Sequence, residues 1–207
     1  MKSVLIFMIV STAVQAFATK PDFPVRVIMD RQDWRDGSVI LHERGRSTPL
    51  AADSADFPGV IRALKNFKTD IGRVTGSEPE ILFSRLPDSG EVVIAGTLGK
   101  NQWIDRLAAE GRIEASRISG RWEATLFQVV EKPFPGVRRA LVIAGSDKRG
   151  AIYGLYDLSG RIGVSPWYWW ADVPVQKRQS LAVTPGWDVD DGPAVKYRGI
   201  FINDEAP

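Results

Sequence analysis

Pro58-Gly59-Val60-Ile61-Arg62-Ala63-Leu64-Lys65-Asn66-Phe67-Lys68-Thr69-Asp70-Ile71-Gly72-Arg73-Val74-Thr75-Gly76 is the stretch whose reading decides the fold. Val60, Leu64, Phe67, Ile71 and Val74 recur at intervals of four, three, four and three, which gathers them on one stripe of an α-helix. Asp56 or a neighbour supplies the N-cap, Pro58 suits a first turn, and Gly76 ends the helix. A one-sided apolar stripe needs a surface to pack on. Leu50-Ala51-Ala52 before the helix, and Glu80-Ile81-Leu82-Phe83 and Val92-Val93-Ile94-Ala95 after it, read as the strands of that surface.

The alternation continues outward. A second helix starts at Asn101, carries Trp103, Ile104, Leu107 and Ala108, and stops at Gly111. Trp122 to Val130 is strand-like, Pro133-Phe134-Pro135-Gly136 makes a tight connection, and Ala140-Leu141-Val142-Ile143-Ala144 is a buried strand. A third helix, Arg149 to Ile162, places Ile152, Leu155, Tyr156 and Ile162 on one side. Strands alternating with helices, several of them apolar throughout, predict an α/β layer with a mixed or mostly parallel sheet. Towards the N-terminus, Val25 to Met29 and Val39 to His42 read as short strands with Asp36-Gly37 as the turn between them. There is no internal repeat and no low-complexity segment.

A chain of 207 residues holds one ample domain, or one domain and part of another. A formal net charge of +2 is too small to point to nucleic acid or another polyanion. Lys2 precedes the apolar run Val4 to Val10, and Ala16-Phe17-Ala18 follows as an A-x-A site, so residues 1–18 read as a signal peptide whose apolar core is too short to span a bilayer. The mature protein is then expected to be secreted or periplasmic, with no membrane association after cleavage. It has no cysteine, so disulfides and thiolate metal sites are excluded and the core alone must hold it together. His42 is the sole histidine and reads as a surface residue rather than a ligand or base.

Two glycine-bearing loops raise a nucleotide reading and fail it. Gly96-Thr97-Leu98-Gly99 lacks the three-glycine fingerprint, and in Gly145-Ser146-Asp147-Lys148-Arg149-Gly150 the positions that should hold a phosphate-binding Lys and a Ser or Thr are Ala151 and Ile152. No cofactor and no metal are expected. The second loop does precede a helix N-terminus, where backbone N–H groups and the dipole favour an anion, and Lys148 and Arg149 add cations there. A sugar carboxylate suits those electrostatics; the alternative is that both residues pair with acidic groups across a domain boundary.

In Trp167-Tyr168-Trp169-Trp170, an extended chain would send successive rings to opposite sides, so some must cover an interface or a ligand surface. Flat aromatic faces suit the C–H faces of sugar rings; wedging this domain against a neighbour is the alternative. Pro174 to Pro193 is rich in Lys, Arg, Asp and Pro and reads as a linker. It leads to Val195-Lys196-Tyr197-Arg198-Gly199-Ile200-Phe201-Ile202-Asn203-Asp204-Glu205-Ala206-Pro207, a short apolar run closed by an amide and two carboxylates. That pattern suits the first strand of a (β/α)8 barrel, whose C-terminal tip opens into a site. The other reading is that Asn203 and Asp204 cap a following helix with Pro207 in or near its first turn.

Phe57-Pro58-Gly59-Val60 leading to Val74-Thr75-Gly76, then Ala144 to Gly150 with Ile152-Tyr153-Gly154 and Tyr156-Asp157-Leu158, resemble the N-terminal part of glycoside hydrolase family 115. Gly163 to Pro174 and Tyr197 to Glu205 extend the resemblance, which covers roughly Leu50 to Pro207. It implies xylan α-1,2-glucuronidase activity: removal, with inversion, of glucuronic acid or its 4-O-methyl ether from glucuronoxylan or aldouronic acids. It also implies an N-terminal mixed-sheet α/β accessory domain (19–185) followed by a linker and the first strand of a truncated (β/α)8 barrel (186–207). Inverting chemistry needs two carboxyl groups roughly 6.5 to 9.5 Å apart. Asp204 and Glu205 are adjacent and diverge near a strand end, so one of them, Asp204 slightly ahead, serves as a catalytic or water-orienting carboxylate whose partner lies on a later strand. Asn203 would bind substrate hydroxyls, with Lys148 and Arg149 as candidates for the uronate carboxylate. The rival expectation is an autonomous secreted carbohydrate-binding or adaptor domain with the exposed aromatics as its sugar platform.

Overall fold

The computed structural model describes residues 24–29 and 31–200. The expected signal peptide, and Asn203, Asp204 and Glu205, lie outside the described residues. In chain order the elements are β1 (Val27–Ile28), β2 (Val39–Glu43), β3 (Arg46–Ser47), β4 (Leu50–Ala52), α1 (Pro58–Thr75), β5 (Ile81–Phe83) and β6 (Gly90–Thr97). Then come α2 (Gln102–Ala109), β7 (Thr125–Glu131), β8 (Val137–Gly145), α3 (Lys148–Arg161), α4 (Tyr168–Ala171), β9 (Ser180–Val183) and β10 (Trp187–Asp190).

The main sheet runs β10-β7-β8-β6-β4-β5. β5, β4, β6 and β8 are parallel neighbours, and β7 and β10 add antiparallel strands at one edge, so the sheet is mixed as expected. Its central strands β4, β6 and β8 are buried on both faces, and their side chains alternate between two cores. Leu50 and Ala52, Val93 and Ala95, and Leu141 and Ile143 face α1 and α3, whose Leu64, Phe67, Ile71, Leu155 and Leu158 close that side. Ala51, Val92 and Ile94, and Ala140, Val142 and Ala144 face the other way, onto Trp103, Ile104 and Leu107 of α2.

The stripe of α1 is buried along its length, and Gly76 closes the helix at φ 80°, its N–H donating to the carbonyl of Gly72. Its start differs from expectation. Phe57 is the N-cap residue and offers no side-chain cap. Asp56 is instead drawn to the sheet, where its carboxylate accepts from the N–H and hydroxyl of Thr97 at 2.7 and 2.9 Å, tying the start of α1 to the end of β6.

Three further expectations are corrected. The stretch from Pro174 to Pro193 is not a linker: β9 is the centre of a second, antiparallel sheet of order β1-β9-β2-β3, and β10 extends the main sheet. Composition hid this because Leu181-Ala182-Val183 is short and flanked by polar residues, while its order comes from pairing with chain far away, Val183 opposite both Val27 and Val39. For the same reason β1 and β2 do not form a hairpin, although the turn at Asp36-Gly37 is present with Gly37 at φ 84°. His42 is buried, not on the surface. Ser47 gives its hydroxyl hydrogen to the carbonyl of Ser77, so Nδ1 of His42 must donate to the Ser47 oxygen at 2.9 Å, and burial lowers the pKa of the imidazole below its ordinary value.

Finally, Val195–Ile200, the described part of the expected barrel strand, has no regular structure. Tyr197 and Ile200 are 84% and 91% exposed. A parallel strand is held by ladders to its neighbours, and no described strand lies beside this segment. Among the described residues no helix is long and apolar enough to cross a membrane.

The second sheet's place in the core is open to a direct check. Leu181→Ala is expected to cost about 2–5 kcal/mol of unfolding free energy in a urea titration, the range for a fully buried leucine. A linker residue would change the midpoint by almost nothing.

Candidate functional site

Ligands of α/β sheets collect at the carboxyl ends of parallel strands, where successive connections leave for opposite faces. Here β6 continues to α2 on one face and β8 to α3 on the other. A cleft of about 740 Å³ opens between those strand ends, with Phe57, Trp122 and Tyr197 as aromatic wall and Lys100, Lys148, Arg149 and Lys196 as cations. Sequence reasoning singled out Lys148 and Arg149, and both line it.

The two residues have different roles. The Arg149 guanidinium donates to Glu123 at 2.9 Å, and Arg198 donates to the other carboxylate oxygen of Glu123. Glu123 is 5% exposed and sits at φ 57°, a left-handed conformation that is uncommon for a residue with a side chain. Arg198 first and Arg149 second hold its carboxyl below the usual carboxylate range, while Glu123 keeps both guanidinium groups charged. Arg149 therefore does pair with an acid, but one within the same α/β unit. Lys148, Lys100 and Lys196 make no ion pair among the described residues. Lys100 lies 5.5 Å from the ring centre of Phe57, and Lys196 5.8 Å from that of Tyr197.

The helix N-terminus is capped from within the domain. Asp147 Oδ1 accepts from the N–H groups of Arg149 and Gly150, each at 2.9 Å, and Oδ2 accepts from the N–H of Glu123. The carboxylate thus occupies the groups a ligand anion would need. What remains for an anion is the lysine ammonium groups, set against flat aromatic walls. Among the described residues no group of His, Cys, Asp and Glu could hold a metal ion.

Glu123 and Arg198 were missed from the sequence. They stand 75 residues apart, and Glu123 lies in the turn before β7, where no periodicity marks it.

The aromatic run forms the helical turn α4, not an extended segment, so its rings do not alternate. Trp167, Trp169 and Trp170 are 63%, 74% and 83% exposed. Tyr168 meets Trp169 edge to face at 5.2 Å, and the Arg73 guanidinium stacks on both rings at 4.8 and 5.0 Å. A second cleft of about 640 Å³ opens beside them, along the C-terminal half of α3.

The fold is an α/β domain with a cationic, aromatic-walled cleft at the carboxyl edge of its sheet. No family model matches the chain. No curated protein matches it either. Among solved structures, one described as "A novel family GH115 4-O-Methyl-alpha-glucuronidase, BtGH115A, with specificity for decorated arabinogalactans" is 30% identical with a TM-score of 0.66, covering 81% of this chain and 20% of that one. Another, described as "Structure of CpGH84D", is 11% identical with a TM-score of 0.43 over 73% of this chain and 22% of that one, and carries no argument. The α/β fold thus resembles part of that family 115 glycoside hydrolase, and the chain spans about a fifth of that enzyme's length.

A depressed carboxyl contributes stability that is fully present above its ordinary pKa of 4.5 and is lost as pH falls through the lower folded value. Thermal melts between about pH 6 and pH 2.5 are expected to fall less steeply for Glu123→Gln than for the unaltered protein. Parallel curves would show that the Glu123 pair contributes nothing to folding.

Proposed function

We propose that this chain is the N-terminal α/β portion of a secreted α-glucuronidase, an inverting glycoside hydrolase that removes glucuronic acid or its 4-O-methyl ether from a branched polysaccharide. The observation that carries the proposal is the fold match to a 4-O-methyl-α-glucuronidase at 30% identity over 81% of the chain. Glucuronoxylan and aldouronic acids remain the proposed substrates. Decorated arabinogalactans, on which that enzyme is specific, are the competing polysaccharide, and both offer the same uronic acid to be cleaved.

Asp204 or Glu205 acts in this reading as one catalytic or water-orienting carboxylate, and Asn203 binds substrate hydroxyls. Lys148 takes the uronate carboxylate, because its ammonium group is uncommitted in the cleft whereas Arg149 is held by Glu123. The remaining machinery belongs to a (β/α)8 barrel, which takes about 250 residues.

Release of uronic acid from glucuronoxylan and from arabinogalactan tests this. The 207-residue chain alone is expected to release none. A protein carrying this chain followed by the barrel is expected to be active, and Asp204→Asn or Glu205→Gln in it to lower kcat by about 10²–10⁴-fold, the range for a lost acid or base. Turnover by the short chain, or full activity in both variants, would overturn the assignment.

A further inference from the structure

The second cleft shares no lining residue with the first. α3 begins at one and ends at the other, and its 14 residues separate them by about 20 Å. We propose that this second cleft, walled by Trp169 and Tyr168 and floored by Asp157, Ser159 and Arg161, is a binding subsite for a neutral glycan chain.

Charge pairing decides between a neutral and an anionic ligand. Asp157 lies 2.7 Å from the Arg161 Nε, Asp188 lies 3.5 Å from the same guanidinium, and Asp70 lies 2.5 Å from Arg73. No uncompensated cation is left to attract a carboxylate, in contrast to the lysine-lined cleft. The polar groups still have unmet capacity. Arg161 meets only one oxygen of Asp157, at 2.7 Å, and the Asp157 side chain is 42% exposed, so it keeps acceptor capacity for a ligand. Sugar hydroxyls both donate and accept, so they match the solvent-facing Asp157 carboxylate and Arg161 guanidinium.

The platform is built in advance. Arg73, anchored by Asp70, stacks on both Tyr168 and Trp169, and Tyr168 meets the Trp169 ring at an interplanar angle of 86°. Trp169 remains 74% exposed, and a ring fixed in this way loses little freedom on binding. The same two rings also wall an adjoining cleft of about 310 Å³ with Asp172, Val173 and Pro174. A ligand running past Trp169 meets a hollow on either side, which suits a chain of sugars better than a single one. The volume of about 640 Å³ lies within the roughly 300–1,000 Å³ of small-ligand sites.

Isothermal titration of the 207-residue chain with xylohexaose and with galactohexaose tests the subsite independently of any hydrolysis. Binding of at least one is expected, weakened about tenfold or more by Trp169→Ala and by Asp157→Asn, as for a buried anchor of a binding site. Trp170→Ala, outside the cleft, is expected to leave it unchanged. Absence of binding to either oligosaccharide would overturn the proposal, as would unaltered affinity in Trp169→Ala. So would equal weakening in all the variants.

Discussion

The organisation of this domain depends on how closely α3 is allowed to approach the sheet. A Cβ at Gly145 would lie 2.0 Å from the backbone nitrogen of Ala151, one at Gly150 2.2 Å from the carbonyl oxygen of Ala124, and one at Gly154 2.4 Å from a Thr125 methyl. No side chain fits at any of these points without moving backbone or strand. The helix therefore adheres by proximity more than by bulk: its buried face includes Gly150, Ala151 and Gly154 beside Leu155 and Leu158. The Thr125 hydroxyl donates to the carbonyl of Gly150 at 2.6 Å, a bond that exists only at this separation.

That approach sets the electrostatics of the sheet's carboxyl edge. With α3 pressed against the start of β7, Asp147 reaches both its own helix and the backbone of Glu123, and Arg149 meets the Glu123 side chain. Other carboxylates nearby are consumed in the same manner. Asp56 is spent on Thr97, and Asp53 accepts first from the N–H of Ala55 and then from Gln102, which lowers its pKa. With the acids committed to holding loops and helix starts in place, the lysines are left to give the cleft its sign. A nearly neutral chain thus acquires a locally cationic site.

Much of the fold was legible in the sequence because the main sheet is built from segments whose periodicity is their own. The four-three spacing from Val60 to Val74 and the apolar runs at Val92 and Ala140 need no distant partner to be recognised. β9 and β10 are the opposite case. Each is only four residues long, set among polar residues and prolines, and is a strand because β1 and β2, or β7, lie beside it, so composition alone read them as linker. His42 was misread for a related cause. A polar residue is buried where a partner satisfies it, and Ser47, its own hydroxyl held by the carbonyl of Ser77, reaches His42 through strand pairing and not through local pattern. The glycines at 145 and 150 carried a real signal of close backbone approach, but the partner is the protein's own helix and strand, not a phosphate.

The candidate site was legible to a lesser degree, and adjacency explains why. Lys148 and Arg149 look like twins in the sequence, yet consecutive residues of a helix point about 100° apart. Once α3 is seated by its glycines, one side chain must turn towards the turn that holds Glu123 and the other towards solvent at the cleft mouth. Arg149 takes the first position, where a planar guanidinium matches a carboxylate, and Arg198 completes the pair from the far end of the chain. Lys148 takes the second, and its charge remains available to a ligand. The chemical difference between the two residues follows from helix geometry and from one buried acid, and neither of those can be seen in the tetrapeptide Ser146-Asp147-Lys148-Arg149 itself.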